Sequence, residues 1–214
     1  MKHLVSGLFL AALSLFDAAS PAAAETREII VAGGCFWCVE ADFEKVTGVR
    51  EAISGYTGGA LANPSYKQVS RGGTGHYEAV RILYDDSRVS AEDLYALFFR
   101  SIDPTDAGGQ FCDRGDSYRT AIFANGPAQK RAAMTAKAQA QAALGQTIVT
   151  PVLQASRFWP AEAEHQDYYK GTGLVLTRFG PLKRSSAYKR YRDACGRDAR
   201  VRALWGSAAA FAGG

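Results

Sequence analysis

Hydrophobic residues in this chain follow two patterns, short continuous runs and runs with helical spacing. Residues 28–32 form a β-branched run that ends at two glycines, which indicates a buried strand followed by a tight turn. Apolar residues then recur at helical spacing from residue 36 to residue 46, and Thr47-Gly48 ends that helix. The alanine-rich stretch 127–144, bracketed by Asn125-Gly126 and Gly145, predicts a longer helix.

The rest of the chain mixes the two patterns without strict alternation. We predict further strands over residues 79–84, 119–124 and 148–153, and helices over residues 92–100 and 162–169. Residues 54–76 hold six glycines and predict a long loop, and Pro151 favours a sheet edge for its strand. The expected fold is one α+β domain, a mixed β-sheet packed with helices in a two-layer α/β sandwich, with long Gly-rich loops.

The first 24 residues have the layout of a secretory signal peptide. A short basic start precedes an apolar run over residues 4–16, and Ala22-Ala23-Ala24 resembles a cleavage site. We therefore expect a signal peptide over 1–24, a folded domain over 25–195 and a C-terminal tail over 196–214. The expected location is the periplasm or the exterior, without membrane attachment after cleavage.

The composition is that of a globular domain, and the charge does not favour a nucleic-acid-binding protein. The hydrophobic fraction of 47% and the charged fraction of 21% are ordinary for a globular domain. The net charge of +4 is too small to indicate nucleic-acid binding, and no recognisable motif supports it. Residues 178–202 are rich in Lys and Arg, which suits a docking surface for an acidic partner, but a solvated helical face is the preferred explanation.

Four cysteines lie in the part of the chain expected after cleavage: Cys35, Cys38, Cys112 and Cys195. An oxidising compartment permits disulfides, and four cysteines allow three complete pairings. So few cysteines in a chain of this length are sparse for a disulfide-stapled scaffold. We therefore expect at least one thiol to be chemically active.

The strongest chemical signal is the sequence GGCFWCVE over residues 33–40. It places Cys35 in the first turn of a helix, where unpaired N–H groups and the helix dipole favour a thiolate. Phe36 and Trp37 add an apolar wall that suits a small sulfur-containing or methyl-bearing group. The alternative is a buried structural cysteine in a tight turn.

Together with other motifs, this sequence resembles the A-type family of peptide methionine sulfoxide reductases. The resemblance extends from about residue 29 to residue 169. Its further motifs are NPSY at 63–66, GTGHYE at 73–78, DRG at 113–115, YR at 118–119, PAE at 160–162, HQ at 165–166 and YY at 168–169.

The resemblance implies an enzyme that reduces the S epimer of methionine sulfoxide, free or in proteins, with residues 25–195 as its catalytic domain. Cys35 matches the nucleophile that attacks the sulfoxide sulfur. Phe36 and Trp37 match the walls that hold the substrate methyl group.

The resemblance also implies which groups face the sulfoxide oxygen. Glu78 matches the acid that protonates it, Tyr66 and Tyr118 match hydroxyl donors, and Asp113 matches a supporting carboxylate. A sulfoxide sulfur is a poor electrophile until its oxygen is protonated, so an acid must face the nucleophile. A carboxyl group buried among aromatic rings keeps its proton near neutral pH.

Attack would leave Cys35 as a sulfenic acid, which a second thiol converts to a disulfide. By its placement before Gly196, Cys195 resembles the family's distal resolving cysteines, and we expect it to resolve. Cys38 is the alternative, because the family usually has glycine there and Cys35-Phe36-Trp37-Cys38 can close a disulfide within one turn. Cys112 receives no role.

We expect no cofactor and no metal, with His76 and His165 as structural hydrogen-bonding residues. The expected partners are methionine sulfoxide, free or in proteins, and a thioredoxin-like reductant, with the enzyme acting as a monomer. One rival hypothesis is a thiol–disulfide oxidoreductase that uses Cys35 and Cys38. Another is an exported binding module with an aromatic cleft. Only the reductase hypothesis accounts for both the Cys-Phe-Trp sequence and the distant Gly-His-Tyr-Glu.

Overall fold

A computed structural model describes residues 26–177 and 180–213. The signal peptide expected over residues 1–24 lies outside these ranges. Within them, none of the helices is both long and apolar enough to cross a bilayer.

The described residues form a six-stranded sheet with the order β7-β6-β1-β3-β2-β8. Its strands are β1 (Thr26–Gly33), β2 (Val49–Thr57), β3 (Tyr77–Asp85), β6 (Thr120–Ala124), β7 (Val152–Gln154) and β8 (Trp159–Pro160). All neighbouring strands are antiparallel except β6 and β7, which are parallel. The mixed sheet is therefore confirmed, and the strand that follows Pro151 lies at its edge.

Helices and two small hairpins complete the domain. The helices are α1 (Phe36–Phe43), α2 (Tyr66–Ser70), α3 (Ala91–Phe99), α4 (Gly126–Leu144), α5 (Arg184–Ala194) and α6 (Arg197–Trp205). The hairpins are β4 (Gly109–Gln110) with β5 (Asp113–Arg114), and β9 (Leu174–Thr177) with β10 (Gly180–Lys183).

Strand alternation decides which side chains of the sheet face the helices. On β3, Val80 and Ile82 belong to the main core with residues of α1, α3, α4 and α6, whereas Tyr77 and Ala79 belong to a smaller cluster on the opposite face. Successive side chains of a strand point to opposite faces, so Glu78 points to the helix side. The predicted two-layer α+β fold is confirmed, and Glu78 lies on its inner face.

The helix expected over residues 162–169 is instead two 3₁₀ turns, Ala163–His165 and Tyr168–Lys170. Long-range contacts break the helix between them. The Gln166 side chain bonds both backbone groups of Ser54 on β2, and Asp167 adopts a left-handed conformation (φ 54°). The Gln166 bonds attach the segment to the sheet, and the Asp167 N–H, which donates to Glu40, attaches it to α1.

The C-terminal residues are packed against the domain. In α6, Val201 and Trp205 are buried in the main core, and Arg197 is 2% exposed. The boundary expected at residue 195 therefore does not mark the end of the packed structure: residues 197–205 are a helix and not a free tail. The hydrophobic face of α6 is short, which explains why the sequence pattern did not reveal it.

Candidate active site

The turn between β1 and α1 places Cys35 at the N-cap of α1. The backbone N–H groups of Cys38 and Val39 donate to the Cys35 carbonyl, at 3.1 and 3.4 Å. Gly34 has φ 81°, and a Cβ atom there would lie 2.6 Å from Cβ of Gln110. Only glycine fits this turn, and the turn directs residue 35 to the end of the helix.

Glu78 lies directly against this turn. Its Oε2 atom accepts a hydrogen bond of 3.1 Å from the Phe36 N–H, and its side chain is buried. The Oε1 atom is buried and has no hydrogen-bond partner among the described residues. Burial is the main cause that raises the pKa of Glu78 to about 8, and the negative charge of Asp113 adds to it. At neutral pH this carboxyl group holds a proton beside Cys35.

Cys35 and Cys38 are free thiols, 6% and 2% exposed, whose side chains are hydrogen-bonded to each other. Burial raises the pKa of Cys35, and the hydrogen bond to Cys38 raises it further. The same bond lowers the pKa of Cys38 despite burial, and the guanidinium groups of Arg197 and Arg192 also lower it. The helix N-terminus alone predicted a thiolate at Cys35, but burial and the hydrogen bond to Cys38 raise the pKa of Cys35 and so favour its thiol form.

Aromatic rings surround the side of the turn where Glu78 and Cys35 meet. Phe36 lies 6.1 Å from Tyr66 and 5.6 Å from His165 between ring centroids, and Trp37 lies 5.7 Å from His165. The hydroxyl groups of Tyr66 and Tyr118 are hydrogen-bonded to each other, and both sense the charges of Glu78 and Asp113. The structure thus brings these aromatic residues together around Cys35. His165 belongs to this group of rings, and burial lowers its pKa.

Glu162 holds Tyr66 in place and was not identified as a site residue from the sequence. Its carboxylate accepts hydrogen bonds from the Tyr66 N–H at 2.8 Å and from the Tyr56 hydroxyl at 2.9 Å. Partial burial alone would raise the pKa of Glu162, but these bonds lower it, so the group is charged. Its position in the motif PAE was the only signal in the sequence that could have found it.

Asp113 lies on β5, next to a disulfide between Cys112 and Cys195 whose Cα atoms are 4.8 Å apart. The Tyr191 hydroxyl of α5 donates a hydrogen bond to the Asp113 carboxylate. Burial raises the pKa of Asp113, whereas this bond and the charge of Arg197 lower it. Cys195, which the sequence favoured as the resolving thiol, is therefore bonded to Cys112 here, while Cys38 is free.

A cavity of about 480 Å³ is lined by both cysteines of the disulfide and by Trp37, Tyr168 and Tyr191. Tyr168 stacks flat on Trp37, with ring centroids 3.9 Å apart. The disulfide and Trp37, next to the reactive cysteine, thus line the same cavity.

Two groups in the described part of the chain bring three potential metal ligands together, and the atoms of both are already engaged. Cys112 and Cys195, in the group with Asp113, are bonded to each other. In the group of Glu40, Glu44 and Asp167, Lys170 lies 2.8 Å from oxygens of both Glu44 and Asp167.

Known proteins resemble this chain in sequence and in fold. A family model described as "Peptide methionine sulfoxide reductase" matches residues 27–199. The chain belongs to that family. It is 46% identical over 209 residues to peptide methionine sulfoxide reductase MsrA 2 of Rhizobium meliloti, covering 98% of this chain and 97% of that one. A relative of the same description from Caulobacter vibrioides is 45% identical, covering 96% of this chain and all of that one.

Solved structures of the same family have this fold. Methionine sulfoxide reductase A of Corynebacterium diphtheriae aligns with a TM-score of 0.62 at 29% identity, over 74% of this chain and 84% of that one. Mxr1 of Saccharomyces cerevisiae in reduced form aligns with a TM-score of 0.65 at 29% identity, over 73% and 92%. As an A-type member of this family, the chain is a peptide-methionine (S)-S-oxide reductase.

Proposed function

We propose that Cys35 is the nucleophile and Glu78 the acid of methionine sulfoxide reduction in this chain. The observation that carries the proposal is the buried Oε1 atom of Glu78, which has no partner in the described residues and lies on a carboxyl group bonded to the turn of Cys35. A sulfoxide oxygen is an acceptor that a protonated carboxyl group can satisfy. Phe36 and Trp37 would contact the methyl group, and Tyr66 and Tyr118 offer further donors to the oxygen.

The reaction is balanced by these groups alone. Glu78 donates its proton to the sulfoxide oxygen as the Cys35 sulfur attacks the sulfoxide sulfur, and the Cys35 proton passes to Cys38. In the resulting adduct the oxygen passes to the Cys35 sulfur: a Cys35 S–O bond forms, the S–S bond and the S–O bond of the substrate break, methionine leaves, and Cys35 is left as a sulfenic acid. The sulfoxide is reduced by two electrons and Cys35 is oxidised by two. Asp113 raises the pKa of Glu78 and so helps to keep the proton on the acid.

The sulfenic acid would be resolved by Cys38. The two sulfurs are hydrogen-bonded, so the Cys38 sulfur can displace water from Cys35 without movement of another segment. Cys195 could take this part only after its bond to Cys112 is reduced. The resulting Cys35–Cys38 disulfide would be reduced by a dithiol protein of thioredoxin type, which is oxidised in turn.

Export of the enzyme and repair of oxidised exported proteins form the next part of the proposal. It is supported by the pattern of residues 1–24, a basic start, an apolar run and an alanine cluster. We propose that the exported enzyme acts as a monomer. Fractionation of cells that express the full chain tests the proposed export. The expected result is a periplasmic or secreted protein that begins near Glu25, whereas a full-length cytoplasmic product contradicts export.

The chemistry is tested with the purified protein, a dithiol and the separate S and R epimers of methionine sulfoxide. Only the S epimer should be reduced, and Cys35→Ser should abolish methionine formation. Full activity of Cys35→Ser would overturn the proposal. Mass spectrometry after one turnover without reductant identifies the linked pair, with Cys35–Cys38 expected.

The same preparation tests the rival thiol–disulfide oxidoreductase, which the free Cys35/Cys38 dithiol at a helix start also suits. Reduction of insulin disulfides that depends on Cys38, without reduction of methionine sulfoxide, would favour that function. Methionine formation without insulin reduction would exclude it.

A further inference from the structure

Helix α5, the second-last α-helix of the described chain, carries a side chain into the active site that no motif of the sequence indicated. The Tyr191 hydroxyl donates to the Asp113 carboxylate, and its ring meets Trp37 edge-on, with centroids 6.2 Å apart. One residue thus contacts both a wall of the aromatic group and the carboxylate beside the acid.

Helix α5 is held firmly enough for Tyr191 to act as a support. Arg192 is 6% exposed and donates to Asp42 of α1 at 2.8 Å and to the Tyr188 hydroxyl at 3.0 Å. One turn beyond Tyr191, Cys195 is bonded to Cys112, the neighbour of Asp113. The hydrogen bond and the disulfide therefore join the same two segments, α5 and the β4–β5 hairpin.

We propose that Tyr191 is a positioning residue, which holds the Asp113 carboxylate beside Glu78 and so keeps Glu78 able to protonate the sulfoxide. The inference rests on the proposed function, in which Glu78 is the acid. A hydroxyl donor stabilises the ionised form of a carboxylate, and an ionised carboxylate nearby favours the protonated form of a second one. The described groups that interact with Asp113 are Tyr191 of α5, Arg197 of α6, Glu78 of β3, Cys35 at the N-cap of α1, Tyr66 of α2 and Tyr118.

The test is the rate of methionine release in a single turnover, measured from pH 6 to about pH 9.5 across the titration of Glu78. Tyr191→Phe keeps the ring and removes the donor. The expected result is a rate about tenfold lower at pH 7.5, because a hydrogen bond to a charged group is lost. The alkaline limb of the profile should also move to lower pH, because Asp113 is less ionised and supports the proton on Glu78 less.

Tyr169→Phe is the matched control, since its hydroxyl also donates to a carboxylate, at 2.5 Å to Glu44, away from Glu78 and Asp113. Its alkaline limb should stay where it is in the unmodified enzyme. Asp113→Asn should shift the limb in the same direction as Tyr191→Phe. In that background Tyr191→Phe should change the rate by less than about twofold, as expected for two residues that act as one unit.

An unchanged rate and profile in Tyr191→Phe would overturn the inference. The inference would also fail if Tyr191→Phe lowered the rate equally with and without the Asp113→Asn substitution. It would fail as well if the alkaline limb of Asp113→Asn stayed in place, a result that does not depend on whether the Tyr191 variant folds. Failure of the proposed function is distinguishable, because then the unmodified enzyme would form no methionine or Cys35→Ser would retain activity.

Discussion

The two pairs of cysteines in this chain have opposite surroundings. Cys35 and Cys38 are buried, unbonded and in hydrogen-bond contact on one helix. Cys112 is exposed and bonded to the half-buried Cys195, across 83 residues of sequence. The first pair has an acid and aromatic rings around it, whereas the second lies where a hairpin meets a helix.

Charge explains why only one of these pairs is suited to nucleophilic chemistry. Buried thiols respond strongly to neighbouring charges, and the two guanidinium groups near Cys38 stabilise a negative sulfur there. A disulfide has no proton to lose and acts mainly as a constraint on the unfolded chain. This difference fits the proposed function, in which the buried pair turns over and the exposed pair supports the structure.

Replacing Glu78 should have the largest effect on activity. This effect should concern the chemistry of Cys35 and Cys38 and leave the exposed disulfide unchanged. Glu78→Gln removes the proton donor, and the rate of methionine formation should fall by about 10²–10⁴-fold. The Cys112–Cys195 bond should stay intact, as thiol counting on the unfolded protein would verify. Activity within about twofold of the unmodified enzyme would show that the acid is another group.

The raised pKa of Glu78 predicts that both activity and stability depend on pH. Its pKa is raised from 4.5 to about 8, so the enzyme should lose activity as pH rises through about 8. Folding favours the protonated form, so its contribution to stability is complete below pH 4.5 and is lost as pH rises toward 8. Glu78→Gln should remove this part of the pH dependence of denaturant unfolding.

Removal of the exposed disulfide should affect stability more than chemistry. In Cys112→Ser/Cys195→Ser, the free energy of unfolding should fall by about 2–5 kcal/mol, because a long loop in the unfolded chain is no longer closed. Denaturant titration of this variant beside the unmodified protein, each with and without reductant, measures the loss. An unchanged midpoint would mean that the Cys112–Cys195 bond contributes nothing to stability. The exposed pair could then not be described as a structural disulfide.

The smallest expected effect is on recycling. Cys38→Ser should still form methionine in the first turnover, although more slowly because the acceptor of the Cys35 proton is gone. Continuous turnover should drop by about tenfold or more, because no thiol lies beside the sulfenic acid. A reagent specific for sulfenic acids should label Cys35 in this variant. If Cys195→Ser accumulates the label and Cys38→Ser does not, the distal cysteine resolves and the assignment of the pairs is reversed.

Local pattern predicted the reactive turn but not all of its surroundings. A β-branched run, two glycines and helical spacing placed Cys35 at the start of α1, since each of these is a short-range property of the chain. The effect of burial on Cys35 was missed, because the sequence gives no measure of how deep a thiol lies or which thiol is bonded to it. The helix over 162–169 failed for a similar reason, since the contacts of Gln166 and Asp167 with distant residues break it.

The sequence by itself determined most of the strands and helices before residue 155, the mixed α+β class and, through its motifs, the family. Only the tertiary structure decided that Cys112 pairs with Cys195, that α6 packs into the core and that Tyr191 meets Asp113. Periodicity and capping act over a few residues, so they can be read along the chain. Pairing across 83 residues depends on how the sheet and helices bring two segments together, and no local pattern encodes it.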